Sequence, residues 1–297
     1  MKEAFREHNP NKKTKERLDH ILSIIAEYET QDIKLTERQL FYQLVSRNVV
    51  KNTLKSYKSV CSIITNGRYS GRIDWDAIED RVRIPYRHSQ FDGVEDLVES
   101  AIYAYRLDRW KGQEYYVELY TEKNALTSIL RPLTDKYHIY LNVNVGYTSA
   151  TAMYDASKRF LEATEDNKEC ILLYLGDHDP SGLDMVRDVR TRLNEFCEHK
   201  AVEVIPIALT YKQVKKHNLP PNFVKETDSR AGDYSKLYGS ESWEVDALRP
   251  EILQELITDA IEKYRNVDLV EKVLEQEEDD KLKLEKYAKR LANASKK

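Results

Sequence analysis

The chain of 297 residues is 41% hydrophobic and 33% charged, with a formal net charge of −4, which leaves room for two domains and argues against a uniformly basic nucleic-acid binder. No apolar run approaches the roughly 18 residues of a membrane span, and the N-terminus lacks a signal-peptide pattern, so we expect a cytoplasmic protein with no membrane partner. The cysteines and glycines form no disulfide framework, zinc motif, P-loop or dinucleotide-binding motif, so any ATPase would be a separate partner.

Three helices are predicted in the N-terminal part of the chain. Apolar residues at helical spacing predict a helix over residues 13–29. Thr36 and Gln39 form a capping box that begins a second helix. A third helix is predicted over residues 53–64 and is expected to end at Asn66-Gly67. A short extended segment follows, and three helices before such a segment predict a winged-helix, helix-turn-helix type of module.

The third helix lies within a basic stretch of the sequence. Six basic residues and no acidic residue occur between positions 47 and 72. The stretch is either a solvated helix face or a DNA-contacting surface of the winged-helix module. The residues predicted to contact DNA are Arg47, Lys51, Lys55, Lys58, Arg68 and Arg72.

After Gly112 the pattern changes to strands that alternate with helices. The third strand is almost wholly apolar, as expected for a strand that is buried on both faces. The alternation predicts an α/β fold with a mostly parallel sheet, followed by two C-terminal helices. The predicted strands are 115–120, 138–145, 170–175 and 201–208, and the predicted helices are 92–110, 124–137, 149–163 and 183–198.

Two of the predicted strands lead into acidic residues. Glu122 follows the first strand, and Asp177 and Asp179 follow the third. The carboxyl ends of parallel strands share one edge of a sheet, and alternate residues of an extended segment point the same way. We therefore expect these three carboxylates to converge. Asp184 lies two residues after Gly182 and is either a further metal ligand or an acid at a helix start, where the helix dipole favours it.

Three carboxylates without His or Cys predict a site for a hard cation, Mg²⁺ or Mn²⁺, rather than for zinc. A magnesium ion at such a site neutralises phosphate charge and stabilises the oxygens of an in-line displacement. The alternative is a loop or helix-cap role for Asp177 and Asp179. It is less favoured because the pair follows an apolar strand and a second strand ends beside Glu122.

The motifs after the first and third strands are Glu122-Lys123-Asn124-Ala125 and Asp177-x-Asp179-Pro180-x-Gly182. They resemble the Toprim domain, in the form found in the A subunit of topoisomerase VI and the related meiotic double-strand-break transesterases. The resemblance runs from Thr36 to about Leu256. It implies a Rossmann-like catalytic domain in which the Glu and both Asp residues bind magnesium and act on phosphodiester bonds.

The resemblance includes the N-terminal part, where members of this family carry an Arg four residues before a nucleophilic Tyr. Arg38 and Tyr42 have this spacing. The resemblance implies that Tyr42 attacks a phosphate, and that the enzyme is a homodimer in which the Tyr of one protomer faces the metal of the other. A cation one helical turn away would favour the phenolate. Alternatively, Tyr42 is a core residue with a solvated hydroxyl.

We therefore expect a winged-helix-like DNA-binding domain over residues 1–110, a Toprim domain over 111–265 and a charged C-terminal helix over 266–297. Three functions remain open. The first is Mg²⁺-dependent DNA cleavage through Tyr42, as in the topoisomerase VI A subunit. The second is hydrolytic cleavage by metal-activated water. The third is DNA binding or assembly by a catalytically silent Toprim fold.

Overall fold

Residues 2–31, 33–78, 88–144, 146–197, 202–224 and 230–294 are described by a computed structural model of the chain. Its helices are α1 (Lys12–Glu29), α2 (Glu37–Ser46), α3 (Leu54–Tyr69), α4 (Val94–Ala104), α5 (Thr127–Tyr137), α6 (Ala150–Glu165), α7 (Pro180–Phe196), α8 (Tyr211–His217), α9 (Ala231–Tyr238), α10 (Pro250–Glu262) and α11 (Val267–Ala294). Its strands are β1 (Tyr115–Thr121), β2 (Tyr140–Val143), β3 (Glu169–Leu175), β4 (Val202–Ala208), β5 (Asn222–Phe223) and β6 (Glu241–Ser242). The predicted mixed α/β class is confirmed.

The N-terminal helices α1, α2 and α3 pack around one apolar core. The capping box at Thr36 is present, with reciprocal hydrogen bonds to Gln39. The predicted end of α3 at Gly67 is wrong, because the helix continues to Tyr69. Gly67 is buried inside the helix, where a Cβ atom would come within 2.7 Å of the Ile73 side chain. This glycine therefore allows close packing and does not end the helix.

The segment after α3 differs from the predicted wing. Trp75–Ala77 is a short 3₁₀ helix, and only isolated bridges join Ala4 to Ser70 and Leu35 to Ile78. Over residues 68–78 there is thus no two-stranded hairpin. Residues 79–87 lie outside the described part of the chain.

A four-stranded parallel sheet with the order β2-β1-β3-β4 forms the second half of the fold. The sheet has helices α5 and α10 on one face and α6 and α7 on the other. Strand β3 is buried on both faces, as predicted: Leu173 faces the first layer and Leu172 the second. The predicted strand ends at Val145 and Ala201, and the predicted helix end at Glu198, lie outside the described residues.

The order of the strands reverses between β1 and β3, because β2 lies on one side of β1 and the later strands on the other. In open parallel sheets the loops at such a reversal diverge and leave a crevice at the carboxyl ends of the strands. The motifs at Glu122 and Asp177 follow the two strands that flank this reversal. The topology therefore brings the predicted acidic residues to the position where such sheets bind ligands.

The charged C-terminal helix α11 is held by a buried acid to the segment that leads into β1. Glu277 accepts the backbone N–H of Leu107 at 2.9 Å, and Arg109 contacts it at 2.7 Å. Because Leu107 is held by this carboxylate, the predicted helix over 92–110 is shorter and ends at Ala104. Within the described residues, no helix is both long and apolar enough to cross a bilayer.

Candidate functional site

The loops after β1 and β3 are tied together by the predicted acids. A carboxylate oxygen of Glu122 accepts the backbone N–H of Asp177. Asp177 in turn accepts the backbone N–H of Val245 at 2.9 Å through Oδ1, and its Oδ2 lies 2.7 Å from the ammonium of Lys123. The sequence-predicted pair from two different strands is thus brought together. Each carboxylate also has a structural hydrogen bond.

Asp179 is the N-cap of α7. Its Oδ1 accepts the backbone N–H of Gly182 at 2.7 Å and the hydroxyl of Ser181 at 2.8 Å. Asp179 therefore has the helix-cap role that the sequence allowed as the alternative to metal binding. Asp179 also lines the same cavity as Asp177, so that its cap role leaves it beside the other acids.

Two further acids, Glu244 and Asp246, belong to this cluster and were not assigned a role from the sequence. The Glu244 carboxylate lies 3.2 Å from the ammonium of Lys123. Their segment is held against the β3 loop by a pair of backbone hydrogen bonds between His178 and Trp243, at 2.8 and 3.0 Å. Glu244 and Asp246 are two residues apart, as Asp177 and Asp179 are. This spacing was the one feature of the sequence that could have indicated a role for them.

Helix α2 supplies the opposite side of the cluster. Arg38 forms an ion pair with Glu244, and its Nε lies 3.2 Å from Oδ2 of Asp246. Tyr42 lines the same cavity as Glu244, and the guanidinium of Arg38 lies 5.8 Å from the centre of its ring. Ala247 joins the apolar core of α1, α2 and α3, so the two parts of the chain are packed together at this point.

A cavity of about 590 Å³ opens between these elements. One wall comes from α2 and the start of α3, and the other from the loops after β1 and β3 and the strand β6. Tyr42 and the acids Asp177 and Asp179 line this cavity within a single chain. The expected arrangement, in which the Tyr of one protomer reaches the acids of another, is therefore not needed to bring them together.

Tyr42 is in a poor environment for a phenolate. Burial raises the pKa of its hydroxyl, and the carboxylates of Asp246 and Glu244 raise it further. Arg38 lowers this pKa, as expected, but it is paired with the same two acids and its effect is smaller. Arg38 favours the phenolate, but burial and the two carboxylates have a larger and opposite effect on the pKa of Tyr42.

The acids of the cluster divide into two groups by their pKa. Burial raises the pKa of Glu122 to about 7, that of Asp177 to about 6 and that of Asp246 to about 7. Burial also acts on Glu244, but Lys123 and Arg38 outweigh it and lower the pKa to about 2. The nearby cations therefore lower the pKa of Glu244 by more than burial raises it. At the other three acids burial is the larger effect, so their pKa values are raised.

Among the described residues, no three His, Cys, Asp or Glu side chains are already disposed around one point as metal ligands. Lys123 explains this, because its ammonium occupies the space between Asp177 and Glu244. The donor set nevertheless fits a hard cation, since all of its atoms are carboxylate oxygens. Both oxygens of the buried Asp246 lack a hydrogen-bond partner in the described chain, which also fits a cation.

Asp184 lies apart from this cluster. Its carboxylate contacts Arg187 at 2.7 Å, Arg230 at 2.8 Å and the hydroxyl of Tyr147. Hydrogen bonds from Arg187 and Tyr147 hold its pKa well below the ordinary value. It does not line the cavity, so the structure favours a surface ion pair over the predicted role as a metal ligand.

The predicted basic patch separates into two sets. Arg68 donates to the backbone carbonyls of Trp75 and Ile78, Arg72 donates to that of His8, and Arg47 pairs with Glu27. These three arginines hold the fold together. The other three residues are exposed and interleave with cavity-lining residues at the start of α3; they are Lys51, Lys55 and Lys58.

Comparison of the chain with protein-family models, with curated proteins and with solved structures gave no match. The chemistry of the site is therefore inferred from its own residues.

The raised pKa of Asp246 predicts a pH dependence of stability. Between its ordinary pKa of 3.8 and the folded value of about 7, the native state holds a proton that the unfolded state has released. Stability therefore falls as the pH rises through this window. We expect Asp246→Asn to gain stability relative to the wild type between about pH 5 and pH 7, as measured by urea unfolding.

The matched control for this titration is Asp184→Asn. The Asp184 pKa is lowered, so its carboxylate is ionised in both states across that range. Its stability difference from the wild type should be flat with pH. A flat difference for Asp246→Asn as well would contradict the prediction.

Proposed function

We propose that the protein cleaves nucleic-acid strands in a metal-dependent reaction at the cavity between α2, α3 and the carboxyl edge of the sheet. The carrying observation is that Glu122 contacts Asp177 where the strand order reverses, and that Asp177 and Asp179 line a cavity whose opposite wall is flanked by exposed lysines. This arrangement agrees with the resemblance to Toprim proteins and with a DNA-binding role for α1, α2 and α3. A bound Mg²⁺ or Mn²⁺ would neutralise phosphate charge during the displacement.

The residues of the cavity fit the handling of a phosphodiester. Glu122, Asp177 and Asp179 would hold the metal ion. Lys123 and Arg38 line the cavity and carry the positive charge that can orient a phosphate. The cavity also lies at the N-terminus of α7, where backbone N–H groups favour an anion.

Water is the nucleophile that this geometry favours. Tyr42 is 4% exposed, and burial and the nearby carboxylates of Asp246 and Glu244 raise its pKa, which favours the neutral phenol. A metal ion held by Glu122, Asp177 and Asp179 would lower the pKa of a bound water molecule and so supply the nucleophile.

Tyr42→Phe separates hydrolysis from transesterification. Under the hydrolytic mechanism we expect this variant to retain cleavage within about tenfold of the wild type, because only a hydroxyl that takes no part in the reaction is lost. Denaturing gels of reactions with end-labelled DNA and Mg²⁺ should show cleaved strands and no protein-linked strand for either protein. Protein-linked strands that disappear in Tyr42→Phe would refute the hydrolytic mechanism.

The second candidate is that same transesterase chemistry, as in the A subunit of topoisomerase VI. It is favoured by one observation: Arg38 and Tyr42 line the acidic cavity in the same chain. In this mechanism the Tyr42 oxygen bonds to the phosphorus, the ribose oxygen leaves, and the phenolic proton passes to a carboxylate. Glu244 lines the same cavity as Tyr42 and is a candidate for that carboxylate. A homodimer and a separate ATPase partner belong to this candidate.

The exposed lysines at and just before the start of α3 are expected to contact phosphates outside the cavity. Replacing all three by Gln should lower the slope of log affinity against log salt by roughly two to three, since each phosphate contact contributes about 0.7–0.9. Fluorescence anisotropy with labelled DNA over a range of salt measures this slope. The lysines to be changed are Lys51, Lys55 and Lys58.

A matched triple replacement on α11 should leave the salt slope unchanged, because those lysines are exposed on another part of the fold. An equal decrease in both triple variants would show that the α3 lysines have no special role. The control residues are Lys272, Lys286 and Lys289.

A further inference from the structure

The charged groups proposed to act on a phosphodiester are recessed in the cavity. The side chain of Asp177 is 11% exposed, and those of Lys123 and Glu244 are each 19% exposed. The phosphates of a double helix lie on the outside of a stiff rod. A duplex that rests on the surface therefore keeps its phosphates away from these carboxylates, whereas an unpaired strand is flexible enough to bend into the cavity.

The wall formed by α2 and the start of α3 carries apolar and aromatic side chains. Tyr57 lines the cavity and is half-buried, and its ring packs against that of Phe41 with the centroids 5.3 Å apart and the planes at 74°. Leu54 lines the same wall and is 69% exposed. Such a surface offers little to a phosphate, but it suits the flat face of a nucleobase.

A chain of amide groups runs along the cavity from this wall to the acids. The amide nitrogen of Asn52 donates to the side-chain oxygen of Asn222 at 2.6 Å, and the amide nitrogen of Asn222 donates to Glu244 at 3.2 Å. These bonds fix the orientation of both amides. The side-chain oxygen of Asn52 is then an acceptor, which suits an amino group on the edge of an unpaired base.

We propose that the substrate is an unpaired strand of DNA or RNA, and that one nucleotide enters the cavity with its base against Tyr57 and Asn52 and its phosphate toward the acids. This inference rests on the proposed function, because it names the form of nucleic acid that the same site accepts. The cavity of about 590 Å³ is within the range of roughly 300–1,000 Å³ for pockets that enclose a small organic ligand, the size class of a nucleotide.

The rest of the strand would follow the exposed lysines beside this wall. Lys51, Lys55 and Lys58 lie at and just before the start of α3, on either side of Leu54 and Tyr57 in the chain. A basic track next to an aromatic side chain is the combination that binds single strands with little regard to their sequence. The recessed acids, the aromatic wall and the lysines therefore point to the same form of substrate.

Binding without metal tests this proposal apart from cleavage. In EDTA, fluorescence anisotropy should give the wild type an affinity about tenfold or more higher for a labelled unstructured strand than for a blunt duplex of the same sequence. Tyr57→Leu keeps an apolar contact with Phe41 but removes the flat ring, so it should weaken single-strand binding by about tenfold. Tyr57→Phe keeps the ring and should bind within about twofold of the wild type. Parallel titrations with DNA and RNA strands show which sugar the site prefers.

Tyr103→Leu is the matched control, because Tyr103 is 80% exposed on α4. It should bind both forms as the wild type does, and equal weakening by Tyr57→Leu and Tyr103→Leu would overturn the proposal. Equal affinity of the wild type for strand and duplex would also overturn it, and that comparison needs no variant to fold.

Cleavage with Mg²⁺ separates this proposal from the proposed function. We expect the wild type to cut the single strand and the unpaired gap of a gapped duplex, and to leave the intact duplex largely uncut. Equal cutting of all three would overturn the unpaired-strand inference and leave the proposed function standing. No cutting of any of them would overturn the proposed function itself.

Discussion

Asp177→Asn is expected to reduce metal-dependent cleavage by on the order of a thousandfold, the largest effect of any single change considered. The amide keeps the size of the carboxyl group, and its oxygen can still accept the N–H of Val245. What is lost is the charge beside Lys123 and one of the three carboxylates proposed to hold the metal ion. Rates of cleavage of a labelled duplex and of a single strand, with Mg²⁺ and with Mn²⁺, measure the change.

Asp184→Asn is the matched control for this loss. It removes a carboxylate seven residues further along the chain, where the contacts are surface ion pairs with Arg187 and Arg230. Such pairs contribute little to stability, so cleavage should stay close to the wild type. Full cleavage by a folded Asp177→Asn would rule out the proposed site. Unchanged function of Asp177→Asn in the cell would support the silent, DNA-binding alternative.

Gly182→Ala is expected to damage both the fold and the site. A Cβ atom at this position would lie 2.3 Å from the backbone oxygen of Asp177 and 3.0 Å from its carbonyl carbon. Backbone cannot yield as a flexible side chain can, so the loop that carries Asp177 must shift. We expect a loss of about 2 kcal/mol or more in the free energy of unfolding. Metal binding should weaken with it.

Gly232→Ala in helix α9 is the control for the added methyl group, since nothing lies within 4 Å of a Cβ atom there. Its free energy of unfolding should change by no more than about 0.5 kcal/mol, or rise slightly. Urea unfolding of both variants gives the comparison. Equal stability of the two variants would show that the close approach of Gly182 to Asp177 is not a constraint.

The contact between Glu122 and Asp177 was predictable because both residues follow strand ends that can be located in the sequence, and parallel strands end at the same edge of a sheet. A strand buried on both faces reads as a continuous apolar run, as β3 does, and the residues that follow it must lie at the sheet edge. The capping box at Thr36 was predictable for a similar reason, because it is a local pattern with a local cause.

The role of Glu244 and Asp246 could not be predicted in the same way. Their position depends on the bridge between His178 and Trp243, a contact across 65 residues of sequence that leaves no periodic signal. Charge patterning likewise could not distinguish Arg68, which holds backbone carbonyls, from Lys55, which is exposed. Both failures have one physical origin: the partner of a charged side chain is set by tertiary packing.

The anchoring of helix α11 through Glu277 sets an order of events during synthesis. Chains emerge from the ribosome N-terminus first, and the segment at Leu107 that leads into β1 finds its partner 170 residues later. The turn at Val245, which fixes Asp177, also emerges long after the loop that it holds. A nascent chain that displays Glu122 and Asp177 therefore lacks contacts that shape the cavity until the turn at Val245 has also emerged.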